Sequence, residues 1–86
     1  MKQILYFTAG WCPSCQNMTP IVEQLKKTNS IPVQKIDIDY DGTFVPKYDV
    51  KSVPTKIVLE NGKEIKRYVG ALTSEQLNNL INSWFF

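Results

Sequence analysis

An α/β fold with one mixed, four-stranded sheet flanked by helices is the architecture this sequence predicts, and three observations predict it. The apolar run Ile4-Leu5-Tyr6-Phe7 passes through a short turn into an amphipathic stretch (Met18, Ile21, Val22, Leu25) and then a second β-like run from Val33. Strand, helix and strand in that order make a right-handed parallel crossover. Asn61-Gly62 stands between two further β-like runs, the strongest short signal for a hairpin. Thr73 and Gln76 make a capping-box pattern ahead of Leu77, Leu80, Ile81 and Trp84, which share one helical face and are expected in the core. With 86 residues the chain is expected to form one domain, residues 1–86.

Residues 3–8 read as the first strand, apolar on both faces as in a strand buried between helices. Thr8-Ala9-Gly10 makes the turn, and a helix is expected from about Cys12 to Thr28. Pro13 suits its first turn, where no N–H is needed, whereas Pro20 removes the hydrogen bond to the Gln16 carbonyl. Lys26 and Lys27 stand at the helix C-terminus, where cations are favoured, and Pro32 prevents continuation. From Val33 to Asp39 the apolar Ile36 and Ile38 alternate with Lys35, Asp37 and Asp39, a strand with one polar side. Asp41-Gly42 turns the chain into a short helix from Thr43 to Tyr48 that contains Pro46. Lys56 to Glu60 and Lys63 to Val69 form the hairpin strands, joined by a type I′ turn. Gly70-Ala71 leads to the last helix, where Leu72 can staple to Leu77, and Phe85 and Phe86 lie off the apolar stripe of that helix.

The net charge is +2 and the basic residues are scattered among acids, so no nucleic-acid surface is expected. No run of 18 apolar residues is present, and only Met1-Lys2-Gln3 precedes the first strand, so neither a membrane span nor a signal peptide is expected. The expectation is a cytoplasmic monomer. In that reducing compartment a lone cysteine pair is catalytic or metal-binding rather than a structural staple.

Cys12 and Cys15, the two cysteines of the chain, fall where the first helix begins. There the backbone N–H groups lack helical partners and the dipole is positive, which favours a thiolate. Zinc wants four ligands, and the chain has no His and no third Cys, so carboxylates such as Asp37 would have to complete a site. A binding module that carries a metal or a partner stands as the non-enzymatic alternative to redox chemistry. The redox reading gains from the strand–helix–strand unit around the pair.

Trp11-Cys12-Pro13-Ser14-Cys15, Pro20, Lys35 within Lys35-Ile36-Asp37-Ile38-Asp39, Pro46-Lys47-Tyr48, Ser52-Val53-Pro54-Thr55, Asn61-Gly62 and Val69-Gly70-Ala71-Leu72 follow one another at a telling spacing. Together they resemble the thioredoxin family over nearly the whole chain. The resemblance implies a thioredoxin-like fold lacking the family's first strand and first helix. The second strand here would then be a sheet edge, where Pro32, Lys35 and Asp37 discourage edge-to-edge pairing. It also implies a thiol–disulfide oxidoreductase that reduces protein disulfides through a reversible Cys12–Cys15 dithiol/disulfide, with no bound cofactor and no metal. Its partners would be disulfide-containing proteins and a thioredoxin reductase. Cys12 would attack and Cys15 would resolve. The Ser14 and Cys15 N–H groups, with the Ser14 hydroxyl, would be donors to the Cys12 sulfur. Trp11, Pro13, Val53 and a cis Pro54 would receive the substrate, with Gly70 and Ala71 as the opposite rim.

Two residue choices depart from the pattern. Pro13-Ser14 stands where thioredoxins usually carry Gly-Pro and is similar to the glutaredoxin dipeptide, which makes a glutathione-dependent enzyme the alternative. Against it, the Gly-Gly-x-Asp turn with which glutaredoxins hold glutathione has no counterpart. Tyr6 occupies the position of the family's buried acid, beneath Cys15. A phenol is a poor base near neutral pH, so Tyr6 is expected to pack as a core aromatic that can still donate a hydrogen bond. Lys35, which faces that acid in the family, would lose its partner and turn to solvent.

Overall fold

The computed structural model describes residues 2–29 and 32–85. Seven elements follow one another: β1 (Lys2–Thr8), α1 (Pro13–Asn29), β2 (Val33–Asp37), α2 (Phe44–Tyr48), β3 (Thr55–Glu60), β4 (Lys63–Val69) and α3 (Ser74–Phe85). They form a four-stranded mixed sheet in the order β2-β1-β3-β4. β1 pairs in parallel with β2, from Ile4 opposite Val33 to Thr8 opposite Asp37. It pairs antiparallel with β3, from Lys2 opposite Glu60 to Phe7 opposite Thr55. β2 is an edge strand, and it stops at Asp37, two residues before the alternation does. The Asp37 carboxylate accepts the Asp39 N–H at 2.9 Å, and the Asp37 carbonyl accepts the N–H groups of Tyr40 and Asp41 at 3.1 and 2.8 Å. An aspartate-led turn thus takes over from the ladder.

Side chains alternate across a strand, so β1 supplies both faces of the sheet. Ile4 and Tyr6 pack with Met18, Val22 and Leu25 of α1, Val58 of β3 and Leu77 of α3. Leu5 and Phe7 pack with Ile36, Val50, Ile57 and Leu59, over which α2 lays Phe44, Val45 and Tyr48. Each large apolar side chain buried this way contributes about 1.5–3 kcal/mol. Because helices cover both faces, β1 from Ile4 to Thr8 and β3 from Thr55 to Leu59 are buried on both sides.

The joints follow the local chemistry. Asn61 and Gly62 have φ of 53° and 84°, the left-handed pair that a type I′ turn requires. Thr73 and Gln76 close the capping box in both directions, from the Thr73 N–H to Gln76 Oε1 at 3.0 Å and from the Gln76 N–H to Thr73 Oγ1 at 3.1 Å. Leu72 and Leu77 share one apolar cluster. The side chains of Ile81, Trp84 and Phe85, and Phe86 as a whole, lie outside the described residues. Arg67 of β4, paired with Glu64 at 2.8 Å, also donates to the carbonyls of Tyr48 and Asp49 at the end of α2. This pins the segment that leads to Val53. Among the described residues no helix is long and apolar enough to cross a membrane.

Candidate active site

α1 begins one residue later than its expected start because Cys12 is its cap. The Cys12 carbonyl accepts the first helical hydrogen bond, from the Gln16 N–H at 3.1 Å, and its own N–H donates to the Ala9 carbonyl at 3.2 Å. Cys12 Sγ accepts the Cys15 N–H at 3.2 Å, the bond that a cap Ser or Asp side chain makes to the third helical residue. A backbone donor and the positive end of a 17-residue helix therefore both point at this sulfur. The Cys12 thiol faces the Val53 carbonyl at 3.7 Å. Of the donors expected around it, the Cys15 N–H is present. Ser14 is exposed and contributes neither its N–H nor its hydroxyl to the sulfur. Cys12 is also more enclosed than an attacking thiol suggests, 5 % exposed against 0 % for Cys15, because Ala9, Ile38 and Val53 close over the pair.

Burial, and next the neighbouring Cys12 thiol, push the Cys15 thiol up; the Ala9 backbone and the Thr8 hydroxyl partly offset this. Tyr6 lies beneath the helix, fully buried, but its hydroxyl meets the backbone of Cys15 and not the sulfur. The Tyr6 hydroxyl, Thr19 Oγ1 and the Cys15 carbonyl form a triangle of 3.2, 3.0 and 2.8 Å (Tyr6 to carbonyl, Tyr6 to Thr19, Thr19 to carbonyl), in which the two hydroxyl protons make two of the three hydrogen bonds at a time. Burial raises the Tyr6 phenol, with Thr19 and Thr8 opposing. Tyr6→Phe leaves the Cys15 carbonyl with its Thr19 donor. It is therefore expected to slow mixed-disulfide resolution less than about threefold, where a true acid–base group contributes about 10²–10⁴-fold. Resolution rates of the two proteins across pH 6 to 9 check this, and a hundredfold loss in a folded variant contradicts it.

Thr8 and Thr19 also line a cavity of about 310 Å³ together with Gly10, Gln16, Pro20, Lys35 and Asp37. It is roomy enough for water, and Cys15 itself does not line it. Lys35 stands exposed at this cavity on the edge strand, opposite Tyr6 in the register but apart from the cysteines.

On the other side lies the expected substrate surface. The Val53–Pro54 peptide is cis, as the resemblance implied. The Pro54 carbonyl accepts the Gly70 N–H at 2.8 Å, so the two rims are tied together. Gly70 has φ of 97°, a conformation that other residues rarely adopt. Trp11, 64 % exposed, lines a groove of about 330 Å³ with Ile38, Val45, Val50, Lys51, Ser52 and Val53. Pro13 and Ala71 are exposed, and neither joins the apolar cluster around the cysteines.

Three residues here were not singled out from the sequence: Thr8, Thr19 and Lys56. Lys56 sits in β3 directly across from Tyr6 and is 1 % exposed. Its Nζ donates to the Gly70 carbonyl and to Met18 Sδ, the latter at 3.6 Å. Burial lowers its pKa to about 8, and the charge on Cys15 opposes that shift. The one sequence signal was its place in a strand that had to be central.

The thioredoxin family model matches residues 1–83. A thioredoxin of Chlamydia pneumoniae is 40 % identical over 77 residues, 88 % of this chain and 76 % of that protein. A thioredoxin of Bacillus subtilis (strain 168) is 35 % identical over 78 residues, 88 % of this chain and 75 % of that one. Among solved structures, a mutant thioredoxin from Halobacterium salinarum NRC-1 superposes with a TM-score of 0.90 at 32 % identity, over 99 % of this chain and 75 % of its own. A structure described as that of a malarial protein superposes with a TM-score of 0.86 at 31 % identity, over 100 % and 99 %.

Proposed function

The chain belongs to the thioredoxin family and is a thiol–disulfide oxidoreductase; from that premise we propose that it reduces protein disulfides through a reversible Cys12–Cys15 dithiol/disulfide. The observation that carries the proposal is the placement of Cys12 Sγ. It caps α1 with the Cys15 N–H at 3.2 Å and faces the Val53 carbonyl at 3.7 Å, beside a cis proline. The Cys12 thiolate attacks one sulfur of a substrate disulfide and forms a mixed disulfide. Cys15, one helical turn on, attacks Cys12 Sγ and releases the substrate thiol. Val53 offers its backbone to an extended substrate segment, Trp11 and Pro13 flank the sulfur, and Gly70-Ala71 forms the opposite rim. The two electrons come from the Cys12 and Cys15 thiols, which end joined as a disulfide, so no bound cofactor enters the proposed reaction. A thioredoxin reductase in the cytoplasm returns the pair to the dithiol.

Reduction of insulin disulfides, driven either by NADPH with thioredoxin reductase or by glutathione with glutathione reductase, tests this reading. The expected result is turnover with the first system and at least about tenfold slower turnover with the second. Equal or faster turnover with glutathione contradicts it and selects the glutaredoxin-like alternative.

A further inference from the structure

Resolution by Cys15 poses an electrostatic problem that the proposed dithiol chemistry leaves open. Cys15 is fully buried, yet it must become an anion to attack Cys12. The position beneath it holds a phenol whose hydroxyl is engaged with the Cys15 carbonyl and Thr19. An anion in such surroundings needs a nearby opposite charge.

One buried cation is placed to supply it. Lys56 lies on the central strand β3, on the same sheet face as Tyr6, under α1. Its Nζ touches Met18, three residues along α1 from Cys15, and is held at the other end by the Gly70 carbonyl. The titratable groups that face it are Tyr6 from β1, Cys15 from α1, and Tyr68, its register partner on β4. The ion pairs of the described residues, Lys51–Asp49 and Arg67–Glu64, do not include it. A Cys15 thiolate holds the Lys56 proton more tightly, and by reciprocity an ammonium at Lys56 favours the thiolate.

We propose that Lys56 is a positioning residue for the resolving step, its ammonium serving as the counter-charge to the Cys15 thiolate. In that step the Cys15 thiol loses its proton to water. Its sulfur forms a bond to Cys12 Sγ as the bond from Cys12 to the substrate sulfur breaks, and the substrate sulfur leaves as a thiolate that takes up a proton. The dithiol is oxidised, the substrate disulfide is reduced, and Lys56 stays protonated throughout. This inference rests on the reading of Cys12 and Cys15 as a redox pair. It makes β3 a part of the redox machinery, in addition to the cis-proline loop before it.

Two variants separate charge from structure. Lys56→Met keeps an unbranched apolar stem, one atom shorter, and Lys56→Gln keeps a hydrogen-bond donor on the side of the Gly70 carbonyl without charge. In a Cys12→Ser background, the ultraviolet absorbance of the thiolate is titrated for Cys15 alone. The expected result is a thiolate absorbance between pH 7 and 8, where Lys56 is still charged, that is lower in both variants. In proteins with Cys12 intact, release of substrate from a preformed Cys12 mixed disulfide at pH 7 is expected to slow about tenfold in both. An unchanged thiolate absorbance between pH 7 and 8, or a Lys56→Gln release rate within about twofold of wild type, overturns the proposal. A wild-type chain that fails to resolve the mixed disulfide at all overturns the redox reading and this proposal with it.

Discussion

Lys56→Met should make the protein more stable at pH 7, by about 1–3 kcal/mol, although it removes a side chain that makes two contacts. The folded-state pKa of Lys56 is about 8, against 10.5 for the free side chain, and burial is the main cause. At about 1.36 kcal/mol per unit, the folded state bears a penalty of up to roughly 3 kcal/mol wherever the unfolded chain carries an ammonium. The folded pKa is depressed, so between pH 8 and 10.5 the unfolded state binds more protons and the stability of the wild type rises with pH. Below pH 8 the penalty is present in full, and above 10.5 it is gone. Methionine carries no such penalty. The advantage of Lys56→Met should therefore be constant up to about pH 8 and shrink above it. Cys15 and Tyr6, both raised by burial, act in the opposite direction at alkaline pH, and they do so in both proteins. Urea unfolding at a series of pH values from 6 to 10 checks the sign and the window. A less stable Lys56→Met at pH 7, or a difference that does not change with pH, contradicts it. A residue that costs stability and is kept at a site of chemistry is what a trade between stability and activity leaves behind.

Cys12→Ser should lower disulfide reduction by at least about 10³-fold while leaving the fold intact. Serine is among the preferred caps, and its hydroxyl can accept the Cys15 N–H that Cys12 Sγ accepts now. What is lost is the nucleophile, and Cys15 cannot take its place because it is fully buried under α1. Circular dichroism and the unfolding midpoint should stay near those of the wild type, so that the lost turnover reports chemistry alone. Retention of a tenth or more of the activity would move the attack to Cys15 and reverse the roles of the two sulfurs.

The parts of this site that could be read from the chain are those written in local chemistry. Asn61-Gly62 demanded a turn with two positive φ angles, Thr73 and Gln76 demanded reciprocal caps, and a strand running into Cys12-Pro13 placed a sulfur at a helix start. The cis peptide before Pro54 was accessible through family resemblance and not from its neighbours. Lys56 was out of reach for a physical reason. A lysine in a short strand reads as a solvent-facing residue, and only the sheet order, which seats β3 between β1 and β4 with helices on both faces, buries it. Thr8 and Thr19 were hidden in the same way, since a hydroxyl in a strand or helix has no signature until Tyr6 and Cys15 are brought against it. The early end of β2 was legible in principle, because an aspartate that caps a turn competes with a strand ladder, but the alternation of Ile36 and Ile38 masked it.

The most direct measurement of the central claim uses Cys15→Ser with an excess of a disulfide-linked peptide, followed by mass spectrometry of the intact chain and its digest. The account predicts a stable adduct of one peptide chain joined through a disulfide to Cys12, released by added dithiol. The wild type, treated alike, should carry no adduct and should lack two hydrogens, as a Cys12–Cys15 disulfide requires. A Cys15→Ser chain that forms no adduct, or a wild type whose two thiols both remain free, would contradict it.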